Sequence, residues 1–212
     1  MITLVKLQAL FADLGPKAMQ QVFSDWEMLV GFEATASLEP VHIISGVAEV
    51  ADKIDDSHIL IETHVVIDES DLGPVYIVFS NALVVEIIAD LLMIPANSKA
   101  AKVESGLSEG DLEAFQEMAN MLCGSWNRVF QEQEKNLRVS QSVDDLNVVA
   151  TMEGTTPMLG RVKEGRMAWI ETTVVVGDGS YPSLLLFPFE VAIGIAEEVY
   201  SISDPRSSRN AG

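Results

Sequence analysis

Residues 113–127 carry a row of polar side chains whose types and spacing could do chemistry. Advancing each residue by about 100° around a helix axis places five of them in one narrow sector: Glu113, Glu117, Asn120, Gly124 and Asn127. An asparagine amide donates and accepts hydrogen bonds at once but does not ionise, so Asn120 could hold a water and could not be a general base. A short Glu-x-x-Asn pattern on its own is more often a solvated helix face than a site. A glycine such as Gly124 lowers the stability of a helix interior by about 1 kcal/mol relative to alanine. Its presence on this face indicates that another molecule or segment must come close to the helix backbone there.

The helix that must position these side chains is predicted over residues 108–134. Ser108 is a good N-cap, and Asp111 three residues later completes a capping-box pattern. Apolar residues recur at spacings of three and four along the side opposite to the polar row, as expected for a helix with one face in the core. They are Leu112, Phe115, Ala119, Leu122, Trp126 and Val129.

An internal repeat in the sequence indicates how the domain is organised. The segment IETHVV (61–66) reappears as IETTVV (170–175), and each copy leads through a turn, predicted at 68–74 and 177–182, into an apolar run that ends in phenylalanine. Helical patterns follow both runs. The sequence therefore predicts one domain made of two repeats: a first half at 1–94, a linker at 95–107 and a second half at 108–202. A polar tail at 203–212 is expected to be disordered.

Each half reads as helix, three strands, helix. In the first half the leading helix lies within 1–31, with Pro16 as a break or a start, and strands follow near 33–44, 58–67 and 75–80. In the second half strands follow near 137–142, 167–176 and 183–187. Short turns join the strands, which favours antiparallel pairing. The predicted fold class is α+β, a two-layer arrangement with an antiparallel sheet and pseudo-twofold symmetry.

Composition excludes several classes of protein. The net charge of -19 disfavours nucleic acid as a partner; it favours a partner with a basic face or serves only solubility. A single cysteine cannot form an intramolecular disulfide. The N-terminal residues predict no signal peptide, and no stretch is long and apolar enough to predict insertion into a membrane. The three histidines show no metal-ligand spacing. A cytoplasmic protein without a metal site of its own is expected.

The segment 117–124, EMANMLCG, resembles the signature helix of the CheC, CheX and FliY phosphatase family, in which a Glu-x-x-Asn pair is followed one turn later by glycine. The order of signature helix, three strands and closing helix is similar too, and the duplication resembles CheC in particular. The resemblance implies a hydrolase that removes the phosphoryl group from the aspartyl phosphate of a CheY-type response regulator. It implies that Asn120 orients the attacking water, that Glu117 binds a lysine of the regulator, and that the Mg²⁺ belongs to the regulator. It makes Glu113, Gly124 and Asn127 secondary, partner-contacting positions.

Two departures from the family pattern narrow this expectation. The family often has Ser or Asp four residues before the signature glutamate, where this chain has Glu113. The chain also has no asparagine before Asn81, so its leading helix carries no second Glu-x-x-Asn pair. We therefore expect one working face and one degenerate face, the latter an interaction surface or a structural remnant. Whether a CheD-like protein binds, and whether the chain forms a homodimer, stays open.

The alternative function is a non-catalytic interaction module of the same fold, comparable to the middle domain of flagellar switch proteins. Such a module would bind a regulator without hydrolysis and would not require Glu117 and Asn120 on one exposed face. An unrelated enzyme with its own nucleophile is disfavoured, because the sequence shows no nucleophile elbow, phosphate-binding glycine loop or Cys–His arrangement. Cys123 lies beside the apolar stripe and is expected to pack in the core.

Overall fold

In the part of the chain that the structure describes, an antiparallel sheet of eight strands carries a layer of α-helices on one of its faces. The computed structural model describes residues 2–45, 54, 57–67, 70–132, 137–139, 147–149 and 166–202. The helices in this part of the chain are α1 (Leu4–Val30), α2 (Asn81–Ala89), α3 (Lys99–Ser105), α4 (Glu109–Glu132) and α5 (Phe189–Ile202). The strands are β1 (Thr35–Leu38), β2 (His42–Ser45), β3 (His58–Ile67), β4 (Ser70–Ser80), β5 (Leu137–Val139), β6 (Asn147–Val149), β7 (Arg166–Val176) and β8 (Gly179–Pro188). The α+β fold class predicted from the sequence is confirmed. The expected tail at 203–212 lies outside the described residues.

Helix α1 begins and ends at recognisable caps. The Thr3 side chain accepts a hydrogen bond from the Lys6 backbone N–H at 3.3 Å, and Gly31 ends the helix in the left-handed conformation with φ 75°. Pro16 neither breaks nor starts the helix, contrary to the expectation. A proline costs the helix one N–H···O=C bond to the residue four positions earlier, here Ala12, and Ala12 lies on the exposed side of α1.

Several predicted strand limits are wrong, for local reasons. The strand expected at 33–44 is split into β1 and β2 around Pro40, which has no N–H to donate to a ladder. The turn expected at 68–74 is partly strand, since β4 already begins at Ser70. In the second half the turn is shorter than 177–182, because Gly177 makes it with φ 55° and β8 begins at Gly179. Strand β6 was not expected, and residues 140–142 of the strand expected at 137–142 lie outside the described part of the chain.

The two repeats exchange their short strands. Strands β1 and β2 of the first half pair with β7 of the second, and β5 and β6 of the second half pair with β3 of the first. The β3–β4 and β7–β8 hairpins meet in the middle of the sheet through β4 and β8. Matching Phe79 with Phe187 also matches Ile77 with Leu185, and these last two lie directly opposite each other. The pseudo-twofold axis therefore passes through the β4–β8 pair.

Alternation along the strands divides the apolar side chains between two faces of the sheet. The main core lies between the sheet and the helices and includes Ile61, Ile77, Ile170 and Leu185. A smaller cluster around Leu60, Tyr76 and Trp169 lies on the other face. The 95–107 segment predicted as a linker contains a 3₁₀ turn and α3, and Lys99 of α3 contacts Glu86 of α2 at 2.6 Å.

Helices α1 and α4, which lead the two repeats, pack against each other in opposite directions. Near the end of α1, Trp26 donates a hydrogen bond to the Met118 carbonyl in the first half of α4. Near its beginning, Phe11 and Leu14 share an apolar cavity with Trp126 and Phe130. The end of α1 therefore lies beside the part of α4 that carries Glu117 and Asn120.

Candidate functional site

The start of α4 is fixed by its own cap. The Asp111 carboxylate accepts a hydrogen bond from the Ser108 backbone N–H at 2.6 Å, which is one half of the predicted capping box. The other half is not formed, because the Ser108 hydroxyl donates to the same carboxylate at 2.5 Å and the Asp111 backbone N–H donates to the Ser108 carbonyl. Lys102 of α3 contacts the same carboxylate at 2.5 Å. Burial by itself would raise the pKa of Asp111, but the hydrogen bonds from Lys102 and Ser108 and the lysine charge outweigh it and hold the pKa below its ordinary value. The helix therefore begins from an ionised, anchored residue.

The predicted apolar stripe lies in the core. Phe115, Ala119, Leu122, Trp126 and Val129 are buried, Leu112 is half-buried, and Met118 and Cys123 are buried beside them. The opposite side of the helix is therefore held at a fixed height above the sheet. This arrangement gives the polar row a rigid base, which a positioned catalytic group requires.

An open groove of about 560 Å³ contains three of the five sequence-predicted residues. Glu117 is exposed, Asn120 and Gly124 are half-buried, and all three line this groove. The other two, Glu113 and Asn127, do not line it. Glu113 is exposed one turn before Glu117, and Asn127 is half-buried and has an interaction partner. The structure thus brings Glu117, Asn120 and Gly124 together and leaves Glu113 and Asn127 outside.

The second wall of the groove comes from α1, which sequence reasoning missed. Asp25, Met28 and Leu29 line it, facing Met121, Ser125 and Arg128 of α4. These α1 residues belong to the half of the chain that carries no Glu-x-x-Asn pair. No local signal marked Met28 and Leu29, because Leu29 follows Trp26 by three residues and Val22 by seven and so continues the apolar period of α1.

A polar cluster at Asp25 joins the two walls. Asp25 accepts hydrogen bonds from the Ser125 hydroxyl at 2.5 Å, from Gln21 at 3.0 Å and from the Arg128 guanidinium at 2.9 Å. Burial alone would raise the pKa of Asp25, but these hydrogen bonds and the arginine charge outweigh it and keep the pKa below its ordinary value. A buried carboxylate is therefore held ionised between α1 and α4.

A second polar contact fixes the register of the two helices at the groove. The Trp26 indole N–H donates to the Met118 carbonyl at 3.2 Å, and both residues are buried. Met118 adjoins Glu117 in sequence, and Trp26 adjoins Asp25. This hydrogen bond therefore fixes how α1 and α4 are aligned along their length, at residues that directly adjoin the polar groups of the groove.

Cys123 has no features of a nucleophile. Its side chain is buried and its sulfur lies 3.6 Å from the Thr63 hydroxyl. Burial raises the pKa of the Cys123 thiol, which disfavours the reactive thiolate. Across the described ranges, no three His, Cys, Asp or Glu side chains lie close enough together to hold a metal ion. Chemistry at the groove would therefore depend on Glu117 and Asn120.

Solved structures match this fold over most of its length. FliY of Thermotoga maritima is 16% identical, with 96% of this chain and 100% of that chain aligned at a TM-score of 0.77. A chain of the FliM–SpeE complex from H. pylori is 9% identical, with 95% of this chain and 97% of that chain aligned at 0.71. A CheC-like superfamily protein from Shewanella sp. PV-4 is 12% identical, with 82% and 97% aligned at 0.51. The chain has the CheC/CheX/FliY fold.

By sequence alone, no family description and no curated protein matches the chain. The CheC/CheX/FliY fold accounts for where α1 and α4 lie, but a fold by itself does not determine an activity. None of the helices in the described residues combines the length and the apolar character that crossing a membrane needs. In this chain the groove at Glu117, Asn120 and Gly124 is shared between α4 and the end of α1.

Proposed function

We propose that this protein is a cytoplasmic chemotaxis phosphatase that hydrolyses the aspartyl phosphate of a CheY-type response regulator. One observation carries the proposal: Glu117 and Asn120 lie one helical turn apart on an open groove, above a helix side that is packed in the core. The fold shared with a CheC-like protein and with FliY supports it. The net charge of -19 suits a partner that presents basic groups around its site.

The proposed reaction is simple hydrolysis of an acyl phosphate. A water oxygen attacks phosphorus, the bond between phosphorus and the aspartyl oxygen breaks, and inorganic phosphate and the free carboxylate leave. Such a reaction needs the water in line with the breaking bond. The Asn120 amide inserts into the regulator's site and orients this water by donating and accepting hydrogen bonds, without taking its proton. Mg²⁺, which neutralises phosphoryl charge, is bound by the regulator in this scheme.

Glu117 has a different role in the proposal: its exposed carboxylate binds a lysine beside the regulator's phosphorylated aspartate.

The proposal also gives each chain a single catalytic face, the one on α4. On α1 the exposed Asp13 is paired with Lys17 at 2.7 Å, and the chain has no asparagine before Asn81. We expect one phosphorylated regulator per chain at this face.

A second candidate is a non-catalytic module that binds a response regulator or a switch component. The observation in its favour comes from a protein–protein complex: a chain of the FliM–SpeE complex aligns with this chain at a TM-score of 0.71. The CheC-like protein aligns at the lower TM-score of 0.51. The two candidates differ in one measurable property. A binding module leaves the half-life of the phosphorylated regulator unchanged, whereas the phosphatase shortens it.

The test is to mix the protein with phosphorylated CheY-type regulators from the same genome and to follow the release of phosphate. Asn120→Ala is expected to lower turnover about 100-fold, equivalent to ~2.7 kcal/mol of transition-state stabilisation, because the water is no longer oriented. Its melting temperature is expected to stay close to that of the wild type, since the amide faces the groove.

Asn97→Ala is the matched control, because it removes an exposed asparagine from the 3₁₀ turn and leaves α4 intact. Its turnover should equal that of the wild type. Wild-type turnover in Asn120→Ala would exclude the mechanism, and absence of any phosphate release by the wild-type protein would favour the binding module.

A further inference from the structure

Two large apolar side chains on α1 are exposed at the groove. Met28 is 75% exposed and Leu29 is 61% exposed, and both line the groove with Glu117 and Asn120. They form the last turn of α1, which Gly31 ends in the left-handed conformation. An exposed apolar pair beside a cluster of polar groups is an arrangement typical of protein–protein contact sites.

This last turn is held in a fixed position. Trp26 is hydrogen-bonded to the Met118 carbonyl, and Asp25 binds Ser125 and Arg128 of α4. The two anchored residues precede Met28 by only two and three positions. The apolar pair is therefore presented at a set distance from Asn120, and little conformational entropy is lost when a partner covers it.

An ordinary protein interface is large enough to include both Asn120 and the last turn of α1. Each partner in a standard interface contributes about 800 Å², which corresponds to a patch of about 16 Å radius. A groove of about 560 Å³ that holds both Asn120 and the last turn of α1 falls within such a patch. A globular domain that brings its aspartyl phosphate to Asn120 must therefore also cover Met28 and Leu29.

We propose that Met28 and Leu29 are the docking surface for the receiver domain of the phosphorylated regulator, separate from the water-orienting group on α4. The inference rests on the proposed function, since the receiver is the occupant that places a phosphoryl group at Asn120. It gives the first half of the chain a definite part in the site. That half lacks the Glu-x-x-Asn pair and instead supplies the apolar wall against which the receiver packs.

The test compares Met28→Ser/Leu29→Ser with Leu92→Ser/Met93→Ser. The control pair is also exposed, Leu92 at 42% and Met93 at 88%, and does not line the groove. Binding is measured with purified CheY-type receivers loaded with beryllium fluoride as the phosphoryl analogue, and turnover with the phosphorylated receivers. In the groove variant Kd and KM are expected to rise about tenfold, as for a central apolar contact of an interface, and kcat to change less than about twofold. The control variant should match the wild type.

The outcomes separate this inference from the proposed function. Unchanged Kd and KM in the groove variant, with normal turnover, would overturn the docking surface and leave the phosphatase standing. Weaker binding of the loaded receiver by that variant, in a protein that hydrolyses nothing, would support the docking surface and exclude the phosphatase. A wild-type protein that binds no receiver would overturn both.

Discussion

Glu117 and Asn120 are three positions apart on one rigid helix, so their Cα atoms are offset by about 4.5 Å along its axis. At that spacing two side chains can contact different groups of one small site. In the proposed mechanism the Asn120 amide orients the water and the Glu117 carboxylate binds a lysine of the regulator. This division predicts that the two residues respond differently to the same experiments.

Glu117→Gln is expected to weaken binding of the loaded receiver about tenfold at low salt, because it removes one half of an ion pair with a lysine. Since exposed ion pairs are screened by salt, the difference from the wild type should shrink as ionic strength rises. Binding isotherms at two salt concentrations measure this. Glu104→Gln, which removes an exposed carboxylate from α3, should show no such effect. Unaltered affinity with lost, pH-dependent turnover would instead identify Glu117 as a general base.

At the scale of elements, the contact between α1 and α4 depends on Asp25. Asp25→Ala removes a buried carboxylate that three side chains contact, and we expect the free energy of unfolding at pH 7 to fall by about 1–3 kcal/mol. The folded state keeps the pKa of Asp25 below its ordinary value. Its contribution is therefore present above the unfolded pKa of about 4 and is lost as pH falls through the folded pKa.

Denaturant unfolding at pH 7 and near pH 3 checks this prediction, and the difference between wild type and Asp25→Ala should narrow at the lower pH. Asp13→Ala is the control on the same helix. Its carboxylate is 58% exposed and is paired with Lys17, so its loss should cost less than about 0.5 kcal/mol. Equal losses for the two variants would show that the Asp25 cluster does not hold the helices together.

The elements differ in how far the sequence could predict them. The polar row of α4 follows from helical period alone, so Glu117, Asn120 and Gly124 could be placed on one face without coordinates. Met28 and Leu29 could not be placed in the site, because which residues of α1 meet α4 depends on packing between distant segments. Strands β1 and β2 pair with β7, far away in the chain, and short edge strands carry little local signal. The repeat of IETHVV as IETTVV was enough to predict the β3–β4 and β7–β8 hairpins. It did not predict that short strands of each half pair with the other half.

For the whole molecule, the exchange of short strands predicts that neither half folds alone. Fragment 1–105 would lack the β7 partner of β1 and β2, and fragment 106–212 would lack the β3 partner of β5 and β6. Each would also expose half of the shared core and an open sheet edge. Circular dichroism of the separate fragments should show little ordered structure, and co-expression should restore a native-like spectrum and melting transition.

The control introduces a specific protease site between Ser105 and Gly106 and cleaves the folded protein there. The two pieces are then identical to the fragments apart from the inserted site, and we expect them to remain associated. Independent, cooperative folding of fragment 106–212 would mean that the strand exchange contributes little to stability.

The strand exchange also determines what a mutation can do. Two identical chains paired in this manner would receive every substitution twice, once on each side of their axis, so a change that harmed one face would harm both. Joining the halves through residues 95–107 lets each side vary alone, and it holds them together at an effective concentration on the order of millimolar whatever the amount of protein present. The half that carries Asn120 could keep its residues while substitutions accumulated in the other half. Dilution in the cell would not separate the two halves, because they are one chain.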